Sequence, residues 1–137
     1  MLGSADSIVN WAEMLLATHY LQAQRYRALL RNEFIEAFKK VDVFLCPTLP
    51  FTATPVGATK VVIENGVEED MLSAIMQYTG VPSLTGLPAL AVPCGFDGDG
   101  LPIGMQLIGK PFDEATLFRI GAAYQAMTGF HLKAPAI

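Results

Sequence analysis

The sequence predicts an α/β fold in which helices pack on a mixed sheet that contains a β-hairpin. Three observations indicate this class. Apolar residues recur at helical spacing over residues 8–40, two strand-like apolar runs between residues 89 and 108 enclose a turn, and a second helical pattern begins at Glu114. Since helices and strands alternate along the chain, the helices are expected to cover the sheet. We therefore expect residues 1–137 to form a single α/β segment.

The first half of the chain predicts a long helix, a short strand and a second helix. One helix, or two in close succession, is expected from Ile8 to Lys40, with Asp6 or Ser7 as its cap. The apolar run 41–46 predicts a buried strand that Pro47 stops, and residues 61–67 predict a small excursion with an Asn-Gly turn. Residues 71–78 predict a short helix that ends at Gly80.

The second half predicts a hairpin followed by a helix. Strands are expected at 89–96 and 102–108, joined by the turn-forming run Asp97-Gly98-Asp99-Gly100. Asp113 is expected to cap a helix from Glu114 to about Met127, which Gly129 terminates. The residues expected to face inward from this helix are Leu117, Ile120, Ala123, Tyr124 and Met127.

The composition is unusually apolar for a free domain. Hydrophobic residues make up 52 % of the 137 residues and charged residues 16 %, with a mean hydropathy of +0.38. An average domain has about 25 % charged residues. We therefore expect the chain to be part of something larger or to form a homo-oligomer.

The charge balance argues against nucleic acid as a partner. The net charge is −4 and the pI is about 5.0, whereas phosphate binding requires clustered Lys and Arg. Arg25, Arg27 and Arg31 form the nearest approach to a basic cluster, and we interpret them as a solvated helix face. Neither a signal peptide nor a membrane span is visible, so no membrane partner and a cytoplasmic location are expected.

No catalytic, cofactor or metal motif is complete in this sequence. The Asp97–Gly100 run lacks the closing Glu of a calcium loop, because Ile108 stands there. Phosphate-loop, His-Glu zinc and Gly-x-Ser-x-Gly motifs are all missing. A cysteine nucleophile at Cys46 or Cys94 would need a histidine such as His19 beside it, and nothing in the sequence brings them together. The sequence therefore predicts no catalytic residue, no cofactor and no metal.

Several segments nevertheless resemble one enzyme family. Ser83–Phe96, with its run Leu-Thr-Gly-Leu-Pro-Ala-Leu-Ala-Val-Pro-Cys-Gly-Phe, and Gly100–Gly109 look like the C-terminal end of the amidase signature family. This family includes bacterial amidases and the A subunit of glutamyl-tRNA amidotransferase. Asp42–Thr48 resembles the strand that precedes the family's Pro-Thr turn. The resemblance implies the C-terminal part of a larger α/β/α fold.

The resemblance also implies an amide hydrolase whose catalytic groups lie elsewhere. Family members hydrolyse amides through a Ser–cis-Ser–Lys triad and an acyl-enzyme, and no residue of this chain matches the triad positions. By resemblance, the residues near the acyl pocket are Cys46, Pro47, Thr48, Tyr78 and Thr79; the alternative is that they are packed turn residues. The amidotransferase members tend to carry an acid in the helix before this segment. Residues 71–78 contain none, which favours a general amidase over a glutamine-specific one.

Two functional hypotheses remain open at the level of sequence. The first is the C-terminal portion of an amidase, which binds a small-molecule amide together with the missing N-terminal part and is inactive alone. The second is a non-catalytic α/β module that pairs with itself or with another protein through exposed apolar surface.

Overall fold

The computed structural model describes residues 15–134, which form α-helices, β-strands and two short 3-10 turns. The helices are α1 (Ala17–Ala37), α2 (Met71–Thr85) and α3 (Glu114–Thr128). The strands are β1 (Val43–Pro47), β2 (Lys60–Val62), β3 (Glu68–Asp70), β4 (Ala89–Phe96) and β5 (Pro102–Gly109). The predicted α/β class is confirmed. The start of the predicted first helix and its caps Asp6 and Ser7 lie outside the described residues.

The main sheet is three-stranded, in the order β1-β5-β4. The strand pairs within residues 15–134 are antiparallel, including the small β2–β3 pair. The predicted β4–β5 hairpin is present and shifts register between Pro93 and Gly95. A proline in a strand removes one backbone donor, and such residues occur at sheet edges and bulges, which is where Pro93 lies.

One face of the sheet packs against the end of α1. Phe38, Leu87 and Ile108 form a buried cluster here, and Phe44 and Cys46 pack against it from β1. These two β1 residues pair with Ile108 and Gln106 of β5, so the strand alternation places all four on one face. The aromatic rings meet edge to face, with 4.9 Å between the centroids of Phe38 and Phe44.

The opposite face packs against α3. Leu117 is 2 % exposed and lies directly over Gly109, where an added Cβ would come within 3.1 Å of its side chain. Gly121 brings the next turn of α3 against Leu90 and Val92 of β4. The sheet is therefore covered by a helical element on each face. The single segment expected over residues 1–137 stays a prediction.

Helix α2 is longer than its sequence predicts. It passes through Gly80 and Pro82 and ends at Gly86, which has a positive φ of 68°. The terminal carbonyls have partners from α1, because Arg27 Nε donates to the Leu84 carbonyl at 2.7 Å and Arg31 Nη1 to the Thr85 carbonyl at 3.0 Å. Cations at a helix C-terminus are also favoured by the helix dipole. The prediction that Gly80 ends the helix is wrong, because the left-handed cap that ends α2 is at Gly86.

Helix α3 has nearly its predicted extent. Asp113 is at the N-cap position, although its carboxylate accepts no hydrogen bond from the first turn, and Gly129 ends the helix with a φ of 67°. Leu117 is buried as predicted, but Ala123 is exposed and Met127 is 85 % exposed, so the inward orientation predicted for these two is wrong. Both residues follow the turn at which Gly121 meets β4, and the sheet does not cover their side of the helix.

Candidate functional site

The turn at the end of β1 contains three of the five predicted contact residues. Cys46 packs against the buried cluster of Phe38, Leu87 and Ile108. The carbonyl of Pro47 accepts a hydrogen bond from Gln106 Nε2 at 3.3 Å, and the backbone N–H of Thr48 donates to the Gly104 carbonyl at 3.0 Å. Strand β5 therefore holds the backbone of this turn at two points.

The Thr48 side chain lies in a crowded position. Its hydroxyl oxygen is buried and has no hydrogen-bond partner among residues 15–134. A Cβ added to Gly104 would lie 3.0 Å from this oxygen, so glycine is needed opposite Thr48. Buried hydroxyl groups are normally satisfied, since an unmade hydrogen bond costs about 1–3 kcal/mol. The Thr48 hydroxyl is thus a buried polar group without a hydrogen-bond partner within residues 15–134.

Helix α2 carries the other two predicted residues. Thr79 donates its hydroxyl hydrogen to the Ile75 carbonyl at 2.6 Å, within the helix. Tyr78 lines a cleft of about 350 Å³. The other lining residues come from three segments: Pro50 from the loop after β1, Ile63 and Glu64 from the turn between β2 and β3, and Gln77 from α2.

Of the five predicted contact residues, Tyr78 alone lines this cleft. The turn that contains the other predicted residues of β1 is near it in sequence only, through Pro50, which follows Thr48 by two positions. Pro50 and Ile63 supply apolar surface, whereas Tyr78, Gln77 and Glu64 supply a phenol, an amide and a carboxylate. Small-molecule sites commonly combine apolar walls with a few polar groups in this way. Glu64 and Gln77 were missed at the level of sequence; the only signal was the Asn-Gly turn, which places residues 63 and 64 at a chain reversal.

The hairpin turn between β4 and β5 is held by the Asp97 carboxylate. Asp97 accepts hydrogen bonds from the backbone N–H groups of Leu101 at 2.8 Å and Asp99 at 3.0 Å. The Leu101 N–H, followed by the Thr52 hydroxyl, lowers the pKa of the Asp97 carboxyl below its ordinary value of 3.8. The Asp97–Gly100 run is therefore a hairpin turn, as expected.

Acidification is expected to weaken the hydrogen bonds that the Asp97 carboxylate accepts. Because the pKa of Asp97 is lower in the folded chain, its contribution to stability is present above the unfolded value of about 3.9 and is lost as the pH falls through the folded value. Urea unfolding at pH 7 and at pH 3 should therefore show a smaller acid-induced loss of stability for Asp97→Asn than for the wild type. Asp99→Asn is the matched control, since its carboxylate accepts no hydrogen bond among residues 15–134. Equal losses in the wild type and Asp97→Asn would contradict the role of this carboxylate.

The described part of the chain contains neither a metal-binding cluster nor a membrane-spanning helix. Within residues 15–134, no three His, Cys, Asp or Glu side chains are grouped closely enough to hold a metal ion. No helix in the same range is both long enough and apolar enough to cross a bilayer. Arg27 and Arg31, which the sequence suggested were a solvated face, instead donate to the end of α2.

Comparison with known proteins identifies the family. The Amidase family model matches residues 6–118, which is most of the chain. The chain therefore belongs to the amidase family, and the predicted amidase-signature resemblance is confirmed.

Individual relatives agree with this assignment. The A subunit of glutamyl-tRNA(Gln) amidotransferase from Chloroflexus aggregans is 42 % identical over 118 residues, which is 85 % of this chain and 22 % of the relative. A crystal structure of an amidase superposes with a TM-score of 0.77 at 31 % identity, over 82 % of this chain and 26 % of that one. The crystal structure of the corresponding amidotransferase protein from Thermotoga maritima gives a TM-score of 0.55 at 29 % identity, over 86 % and 26 %. The chain thus spans about a quarter of the length of the proteins it matches.

Proposed function

We propose that this chain is the C-terminal portion of an amidase that hydrolyses the C–N bond of a carboxamide through an acyl-enzyme. In this proposal it contributes scaffold and part of the substrate pocket, and it is inactive alone. The observation that carries the proposal is the family match over residues 6–118, combined with a length of about a quarter of the matched proteins. The cytoplasmic location expected from the sequence stays a prediction.

Exposed apolar surface supports a role inside a larger assembly. Helix α1 has no buried residue, and its large apolar side chains Tyr20, Leu21, Tyr26 and Leu29 are each more than half exposed. Contiguous apolar surface on a soluble protein commonly marks an interaction site. The remaining part of an amidase domain would cover this surface in our proposal.

The catalytic serines and lysine would come from that remaining part. Ser73 and Ser83 are the serines among residues 15–134, and both are exposed on α2. No hydrogen bond joins either hydroxyl to a lysine within the same residues. A serine nucleophile needs an adjacent base to become reactive. We therefore assign no catalytic residue to this chain and keep Cys46, Pro47, Thr48, Tyr78 and Thr79 as proposed pocket residues.

Reconstitution tests the proposal. The chain would be produced alone and together with an amidase-signature protein from which the matching quarter has been deleted. Hydrolysis of simple aliphatic and aryl amides is expected from the pair and not from either part. Turnover by the chain alone would contradict the proposal, and so would a pair that associates without recovering activity.

The contribution of Tyr78 can be measured in the reconstituted pair. Tyr78→Ala removes a phenol from the cleft, so we expect KM for the amide to rise about tenfold, equivalent to about 1.4 kcal/mol of lost binding, with a smaller change in kcat. Phe118→Ala is the control, since Phe118 is an exposed aromatic residue of α3 that lies outside both this cleft and the apolar surface of α1. An unchanged KM for Tyr78→Ala would remove Tyr78 from the proposed pocket.

A self-associating module is the alternative, and the exposed face of α1 favours it equally. A second copy could cover the same apolar side chains without any catalytic partner. Solution mass separates the two ideas. A stable dimer that persists on dilution and does not bind the truncated amidase supports the module, whereas exchange of the dimer for the amidase partner supports the first proposal.

A further inference from the structure

The cleft lined by Tyr78 contains one carboxylate that has no hydrogen-bond or ion-pair partner within residues 15–134. The β2–β3 hairpin and its flanking turn contain four acids, Glu64, Glu68, Glu69 and Asp70, and one cation, Lys60. Local charge is therefore strongly negative.

Three of these acids are engaged within the chain. Glu68 accepts from Lys60 Nζ at 2.8 Å, and Glu69 accepts from the Gln77 side-chain amide at 3.4 Å. Asp70 caps α2 by accepting from the N–H groups of Leu72 and Ser73 at 3.0 and 3.2 Å.

Glu64 differs from its neighbours. It lines the cleft, and none of the hydrogen bonds or ion pairs among residues 15–134 includes its carboxylate. The nearest cation in the sequence, Lys60, is already paired with Glu68. The Gln77 amide, in turn, is oriented by Glu69 at the wall of the same cleft. Glu64 is thus the acid of this hairpin whose charge is available to a bound molecule.

We propose that Glu64 makes this cleft selective for amides that carry a protonated amine and no carboxylate. The inference rests on the proposed function, because it assumes that the amide substrate occupies this cleft. Selectivity would follow from attraction of the ammonium group to Glu64 and from repulsion of anionic amides by the same carboxylate.

The expected size of the effect is modest. An ion pair at a partly exposed site contributes little, so we expect the cationic amide to bind about fivefold more tightly than its neutral isostere. The preference should shrink as the salt concentration rises, because the charges are accessible to counterions.

Binding can be measured on the full chain without catalysis. Nuclear magnetic resonance titrations would follow the Gln77 side-chain amide and the Tyr78 backbone amide with three probes: 4-aminobutyramide, butyramide and succinamate. The expected order of affinity is cation, neutral, anion. Glu64→Gln should remove the difference between the three probes. Glu68→Gln is the matched control, because it removes the same charge from a residue that pairs with Lys60 and does not line the cleft.

The outcomes separate this inference from the proposed function. Equal affinity for 4-aminobutyramide and butyramide overturns the inference while leaving amide binding intact, and so does a preference that survives Glu64→Gln. Butylammonium, which lacks the amide, is the fourth probe. If it binds as tightly as 4-aminobutyramide while butyramide does not bind, the cleft is a cation site, and both the inference and the amide-binding role are overturned. Absence of binding by every probe also overturns the inference.

Discussion

Replacing Phe38 with alanine is expected to lower the free energy of unfolding by about 3–5 kcal/mol, as is usual for a buried phenylalanine. Phe38 is 5 % exposed and ends α1, where its ring meets those of Phe34 and Phe44 at centroid distances of 6.5 and 4.9 Å. The substitution leaves a cavity and also removes the edge-to-face contact with Phe44, which contributes beyond the buried area. Urea unfolding followed by circular dichroism measures the loss.

The expected loss is large because Phe38 connects layers. Its cluster joins the end of α1 to the face of β1 and β5 through Phe44 and Ile108. A domain of ordinary stability has about 5–15 kcal/mol in total, so this substitution would remove a large share. Tyr26→Ala is the control on the same helix, since Tyr26 is 72 % exposed and its removal should change stability by about 0.5 kcal/mol or less. Similar losses for the two variants would show that this face is not the core.

The elements that sequence predicted best are those with local signals. Strands β4 and β5 and the turn between them follow from alternating apolar runs around Asp97–Gly100, and the Asp97 carboxylate satisfies two N–H groups of that same turn. Gly129 ends α3 for an equally local reason, because its φ of 67° suits glycine. Each of these signals lies within a few residues of the structure that it determines.

The end of α2 shows where local reasoning fails. Gly80 and Pro82 both disfavour a helix, yet α2 continues to Thr85. Arg27 and Arg31 hydrogen-bond its last carbonyls from residues more than fifty positions away in sequence. Gly86 supplies the local stop signal of α2, as Gly129 does for α3, whereas nothing near residue 80 indicates that the helix passes through Gly80 and Pro82.

The candidate site, like the fold, was predictable from the sequence only in part. Tyr78 was identified through the family resemblance, and the structure puts it in a cleft with Pro50. Glu64 was not identified, because an isolated glutamate in a turn has no distinguishing pattern. It becomes informative only when the neighbouring acids are seen to have partners of their own, which depends on contacts such as Lys60 to Glu68 and Gln77 to Glu69.

The second large effect is expected on the other face of the sheet. Leu117→Ala should lower the free energy of unfolding by about 2–5 kcal/mol, because this side chain is 2 % exposed and packs on Gly109. Phe118→Ala is the matched control: it removes a larger side chain from the next position of α3, but one that is 63 % exposed. A greater loss for Phe118→Ala than for Leu117→Ala would mean that α3 presents a different face to the sheet.

A double-mutant cycle with Gly109 tests the contact itself. The Cβ of Gly109→Ala would lie 3.1 Å from Leu117 Cδ2 and Cγ, so this substitution alone should destabilise the chain by about 1–3 kcal/mol through overpacking. In the Leu117→Ala background the new methyl group enters space that Leu117 has vacated, and its cost should fall or change sign. Contacting residues couple in this way, whereas distant ones are additive. Additive losses would therefore contradict the contact of Leu117 with Gly109.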